Sequence, residues 1–150
     1  MKKIFALLST FLLFFSFIMP VSAAGQEQII YRGQQELENG ITVYIEIIEE
    51  SLARSSIKGY TNKKTITKGD VTVAVISIHG EFKYDGATVS VVSKSVTQTD
   101  TYEGWSYKQN AFTSSGGTIT LDAKLTKLLV LSIPFTMTLS CDKNGNLSYT

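Results

Sequence analysis

The chain is poor in the residues that most often carry chemistry. Across 150 residues it has one histidine, one cysteine, one tryptophan and two prolines. The lone cysteine, Cys141, cannot form an internal disulfide, so packing and a hydrogen-bonded ladder must hold the fold. One histidine and one cysteine cannot close a zinc site. His79 is the single imidazole available to a hydrolytic triad, and no nucleophile-elbow sequence accompanies it. Excess charge is also lacking. Without Lys2 and Lys3, twelve basic residues stand against thirteen acidic ones, a net charge of −1. That balance argues against nucleic acid as a partner and against a polybasic membrane site. A second long apolar run is missing too.

The first apolar run reads as a leader. Lys2 and Lys3 form a positive n-region, residues 4–19 are almost unbroken in apolarity, and Pro20 interrupts them. Val21-Ser22-Ala23-Ala24 then supplies small residues for signal peptidase, with cleavage after Ala23 or Ala24. The run is short for a spanning helix, which needs ~20 residues. The expected product is secreted, is off the membrane once cleaved, and is long enough for a single core. This divides the chain into a signal-peptide helix (1–23), a polar N-terminal arm (24–40) and a β domain (41–150).

The stretch 76–91, ISIHGEFKYDGATVSV, organises that domain. Asp85-Gly86 has the signature of a two-residue turn, because Gly supplies the positive φ that such turns need. A turn there pairs Tyr84 with Ala87, Phe82 with Val89, Gly80 with Val91 and Ile78 with Ser93, all on one face. His79, Glu81, Lys83, Thr88 and Ser90 fall on the opposite, wet face. Gly80 leaves a gap for Phe82 or Val91 to cover, or marks a bulge.

Period-two alternation recurs on either side. In 41–50, Ile41, Val43, Ile45 and Ile47 point one way, and β-branched density favours strand over helix. In 118–126, Ile119, Leu121, Ala123 and Leu125 point inward. In 128–141, Phe135, Met137, Leu139 and Cys141 share a face, which reads Cys141 as a buried small hydrophobe. Pro134 requires a break, a bulge or an edge. Val92 and Val96 depart from the parity of Val89 and Val91, which signals a bulge or an edge. Trp105 and Tyr107 share a face with Ala111, and Leu147 shares one with Tyr149. The arm offers a short edge strand at Ile29-Ile30-Tyr31. Residues 51–70 are the most polar and read as a mobile loop with a short strand over 60–67. Turns fall at Asn39-Gly40, Asp85-Gly86, near Asp100, at Gly116-Gly117 and at Asn144-Gly145. These observations predict an all-β antiparallel β-sandwich, immunoglobulin-like in general architecture, preceded by the leader helix.

Two motifs carry a family likeness. Ile78-His79-Gly80-Glu81-Phe82-Lys83-Tyr84-Asp85-Gly86 and the terminal Cys141-Asp142-Lys143-Asn144-Gly145 resemble those of a family of small secreted proteins of Gram-positive bacteria. The resemblance spans most of the chain after the leader. It implies export by such a bacterium and a β-rich fold, and it implies no activity, cofactor or site residue.

The functional expectation is a non-enzymatic binding or structural role outside the cell, with no cofactor. Lys58, Lys63, Lys64 and Lys68 make the 51–70 loop basic, and with His79 they form the candidate binding surface for a cell-wall polymer or another extracellular protein. The competing readings are a secreted hydrolase or an inhibitor of one, a carbohydrate-binding module using Tyr102, Trp105 and Tyr107, and assembly through exposed sheet edges. Catalysis would need His79 within hydrogen-bond reach of a Ser and an acid, or two acidic groups converging in a pocket. Asp142-Lys143-Asn144-Gly145-Asn146 has a faint calcium-loop look without the distant bidentate Glu, and a tight turn accounts for it.

Overall fold

A computed structural model describes residues 26–52, 56–99, 101–128 and 130–150. The expected leader and its cleavage positions lie outside the described residues, as does Asp100. Among the described residues are nine strands in two antiparallel sheets, so the chain is an all-β sandwich. The first sheet holds β1 (Glu27–Leu37), β2 (Ile41–Glu50), β3 (Ile57–Lys68), β4 (Val71–Tyr84) and β5 (Val89–Gln98), side by side in chain order. The second holds β6 (Trp105–Ser115), β7 (Thr118–Lys127), β8 (Leu131–Cys141) and β9 (Leu147–Tyr149), again in chain order. Both sheets are meanders. The likeness to an immunoglobulin domain therefore stops at two packed antiparallel sheets, because the Greek-key crossings of that fold are missing.

The core forms where the two inner faces meet. Ile76, Ile78 and Phe82 of β4 are fully buried, as are Ile119, Leu121 and Leu125 of β7 and Met137 and Leu139 of β8. Each such side chain contributes about 1.5–3 kcal/mol by leaving water. Gly80 faces this core, and a Cβ there would overlap the Ile119 Cδ1 methyl. The gap expected at Gly80 is filled from the opposite sheet as well as by Phe82. Trp105 is buried in the same cluster, and Cys141 is buried as expected.

Four expectations are corrected. The β4–β5 turn is four residues long, not two. Tyr84 pairs with Val89 and Phe82 with Val91. The Asp85 carboxylate accepts from the Ala87 and Thr88 amides, which stabilises the wider turn. The change of face along β5, expected as a bulge or an edge, is a bulge at the Glu81/Phe82 step, where Val92 is the extra residue, and this needs no correction. Residues 57–68 form a twelve-residue strand, not a loop. Its polarity hid an alternation of Tyr60, Asn62, Lys64 and Ile66 inward with Thr61, Lys63, Thr65 and Thr67 outward. The arm contributes an eleven-residue edge strand paired along β2, longer than the Ile29-Ile30-Tyr31 segment expected. In β6 a bulge between Gln109 and Ala111 shifts the parity, so Phe112 joins Trp105 and Tyr107 against the core in place of Ala111.

The shortness of β9 leaves one flank of the sandwich open. It pairs with β8 only from Leu139 to Cys141. The Thr138 amide bonds Thr150 O on the β9 side, and the Cys141 amide bonds Gly117 O on the β7 side. Backbone groups alternate along a strand, so even-numbered residues of β8 aim at the β9 side. Below Thr138 no strand lies on that side among the described residues. Pro134 has this parity, so its missing N–H falls on the free edge and costs the β7 ladder nothing.

Candidate functional site

The five residues expected to bind do not form one surface. Lys58 pairs with Glu49 at 3.0 Å, and that hydrogen bond holds its ammonium above the usual lysine range. Lys63 pairs with Glu46 at 3.0 Å on the outer face, where Arg32 also reaches Glu46. The Lys63 hydrogen bond draws the Glu46 carboxyl below its ordinary range. These cross-strand pairs neutralise half of the expected basic patch. Lys68 stands at the end of β3, and Lys64 points the other way, between the sheets. Lys63 and Lys64 are neighbours on a strand, so they must face opposite sides.

His79 sits on the outer face of β4. Its Nδ1 lies 3.1 Å from Thr61 Oγ1 and 3.2 Å from Glu50 Oε1, and the Thr61 hydroxyl also donates to Glu50 at 3.4 Å. A hydroxyl and an acid are therefore both in reach. Both meet the same ring nitrogen, however, whereas a relay needs the nucleophile on one nitrogen and the acid on the other. The cluster links β2, β3 and β4 as cross-strand hydrogen bonds. The Asp142 carboxylate is likewise occupied by its own turn, accepting from the Asn144 and Asn146 amides and the Asn146 side chain. Trp105 belongs to the core, which removes the centre of the proposed sugar platform.

Lys64 has the setting that the other four lack. It lies on the open flank, in a groove of about 230 Å³ between the inner face of β1–β3 and the free edge of β8. Leu37, Val43, Ile66, Ile133 and Phe135 give the groove apolar walls. No carboxylate lines it among the described residues. Lys64 Nζ donates to the Thr136 carbonyl at 3.2 Å. Burial pushes its pKa down, because the charged form loses water. Two residues earlier, Asn62 is fully buried and donates to Thr138 O at 3.2 Å and Thr150 O at 2.9 Å. Side chains of β3 thus reach across the sandwich and cap the edge carbonyls that a longer β9 would have paired.

The arrangement can hold an anion beside an apolar chain. A charge-assisted hydrogen bond is about twice as strong as a neutral one, and more so where water is scarce. A peptide strand suits the site poorly. It would meet Pro134, which offers no donor, and would compete with Lys64 for Thr136 O. Sequence reasoning included Lys64 but gave it the wrong surroundings. The groove lay beyond local alternation, because it depends on β9 pairing with only Leu139 to Cys141 of β8.

No protein-family model, no curated protein and no solved structure matches the chain. Among the described residues no helix is long and apolar enough to cross a membrane.

Proposed function

We propose that this protein is a non-enzymatic binding domain that acts outside the cell and holds an anionic amphiphile in its flank groove. The apolar part of the ligand lies against Leu37, Val43, Ile66, Ile133 and Phe135, and its anionic head meets Lys64. The observation that carries this reading is the Lys64 ammonium, set in an apolar groove with one backbone carbonyl for a partner. Export rests on the leader pattern and on the resemblance to secreted Gram-positive proteins. A wall polymer gripped by four loop lysines has less support, since Lys58 and Lys63 are spent on Glu49 and Glu46.

Titration with octanoate, followed by methyl and aromatic NMR shifts, tests the reading. Saturable shifts are expected at Ile66, Ile133 and Phe135. Lys64→Met keeps the stem and removes the charge, and it should weaken octanoate binding by about tenfold or more, the loss of one charge-assisted hydrogen bond. Octanol, with no anionic head, should bind the two forms equally and weakly. No saturable shift, or octanol binding as tightly as octanoate, would discard the reading.

A further inference from the structure

A second feature lies at the end of the sandwich where β7 turns into β8. Val130 N–H bonds Lys127 O at 2.9 Å, closing a tight turn. Leu128 occupies this turn with φ +45°, a left-handed conformation that costs a non-glycine residue free energy. The residue is 72% exposed, and Val130 is 91% exposed. Two neighbouring segments add apolar points. Val71 opens β4 and is 40% exposed, and Tyr102, between β5 and β6, is 54% exposed. Folding gains little from any of these placements. A strained turn that holds leucine and valine in water is better explained by contact with something else.

The charged side chains that line the hollows between the points are, among the described residues, of one sign. Two hollows separate them, one of about 410 Å³ beside Leu128 and Val130, the other of about 110 Å³ beside Val71 and Tyr102. Lys68 and Lys127 line both hollows, and among the described residues no carboxylate lines either. Asp70 and Glu103 are in the adjoining turns but outside the hollows. The Lys127 ammonium lies 5.7 Å from the centre of the Trp105 ring, a cation–π contact that holds it at this end of the sandwich. The apolar points are exposed and come from three separate segments. A fluid surface can take in such points singly, whereas a folded partner would need a matching socket for each.

We propose that this end of the sandwich is a contact surface for a bilayer containing anionic phospholipid. Leu128 and Val130 enter the acyl boundary, Tyr102 and Val71 rest at headgroup level, and Lys68 and Lys127 meet headgroup phosphates. Amphipathic tips of this kind gain from apolar burial and from anionic lipid together. The proposal uses residues distinct from the Lys64 groove and does not depend on it.

Co-sedimentation of the purified protein with vesicles tests it. Mixed phosphatidylglycerol–phosphatidylcholine vesicles should bind the protein, and pure phosphatidylcholine vesicles should bind it at least about tenfold less, with the difference shrinking in high salt. Leu128→Ser/Val130→Ser should lower partitioning by about tenfold or more, because both side chains leave water on binding. Lys68→Gln/Lys127→Gln should abolish the preference for phosphatidylglycerol. Circular dichroism should be unchanged in both variants, since the substituted positions lie at the surface. Lys64→Met should bind vesicles as wild type does, and Leu128→Ser/Val130→Ser should bind octanoate as wild type does. Absence of vesicle binding, equal binding to both lipids, or an unaffected Leu128→Ser/Val130→Ser variant overturns the proposal. So does light scattering that shows self-association lost in that variant, which would make a second copy of the chain the occupant.

Discussion

Gly80 is the position at which the packing of the two sheets can be tested most sharply. It faces the core from β4, and a Cβ there would overlap Ile119 Cδ1 of β7 and lie 3.0–3.1 Å from the Phe82 ring. The residue is outside the left-handed region, so alanine is compatible with its backbone. Gly80→Ala should cost roughly 1–3 kcal/mol by overpacking. Reduced freedom of the unfolded chain offsets about 0.4–1 kcal/mol of that, leaving a net loss of about 1–2 kcal/mol. Ile119→Val removes the obstructing Cδ1 and alone should cost about 0.5–1.5 kcal/mol. In the double variant the new methyl occupies the space that Cδ1 leaves. Its stability should therefore match that of Ile119→Val alone, giving a favourable coupling of about 1 kcal/mol or more. Urea denaturation of the four proteins measures this, read from midpoints at unchanged slope. Additivity within about 0.5 kcal/mol would refute the reasoning, because it would mean that residues 80 and 119 do not touch.

Two further predictions concern buried titratable groups. The Lys64 pKa is lower in the folded chain than its ordinary value of 10.5, so between the two values the unfolded chain holds more protons. This group therefore makes stability rise with pH in the window just below 10.5. Tyr60, pushed up to about 12 chiefly by burial, acts in the opposite sense above pH 10 in either protein. The stability difference between wild type and Lys64→Met isolates the lysine and should move in favour of wild type as pH rises toward 10.5; a difference that stays flat would place the amine in water. Cys141 is 3% exposed and burial holds its thiol above the usual range, so an aromatic disulfide reagent at pH 8 should label it only as fast as the fold opens. Labelling at the rate of free cysteine would show that the terminal strand is undocked.

The fold was legible wherever one face of a strand is apolar and the other wet. Ile41, Val43 and Ile47 of β2, and Ile119, Leu121, Ala123 and Leu125 of β7, are buried on the parity that their alternation predicts. Alternation failed where cross-strand partners supply what hydrophobicity does not. In β3, Lys58 and Lys63 are matched by Glu49 and Glu46 of β2, and no window of local sequence contains both members of either pair. The bulge at Val92 showed as a break in parity that a bulge or an edge would explain, and the one near Asn110 was invisible for a related reason. An extra residue changes the face of everything beyond it, and only the partner strand reveals it. The wider turn at Asp85 hid behind a strong Asp-Gly signal, because Thr88 completes it from three residues away. The site was half legible. Lys64 stood out by charge, whereas its groove depends on how little of β8 is paired with β9, a fact about the opposite sheet. The apolar end was not read at all, since Leu128 and Val130 look like the start of a strand.

The central claim is that a short last strand leaves the edge of β8 open beside Lys64, and native-state hydrogen exchange of the β8 amides addresses it most directly. The Ile133, Phe135 and Met137 amides enter the β7 ladder and should be strongly protected, as should Thr138, which bonds Thr150 O. The Ser132 and Thr136 amides face the open flank and should exchange orders of magnitude faster. Equal protection along 131–138 would mean that another segment covers this edge, and it would contradict the groove and the binding role built on it.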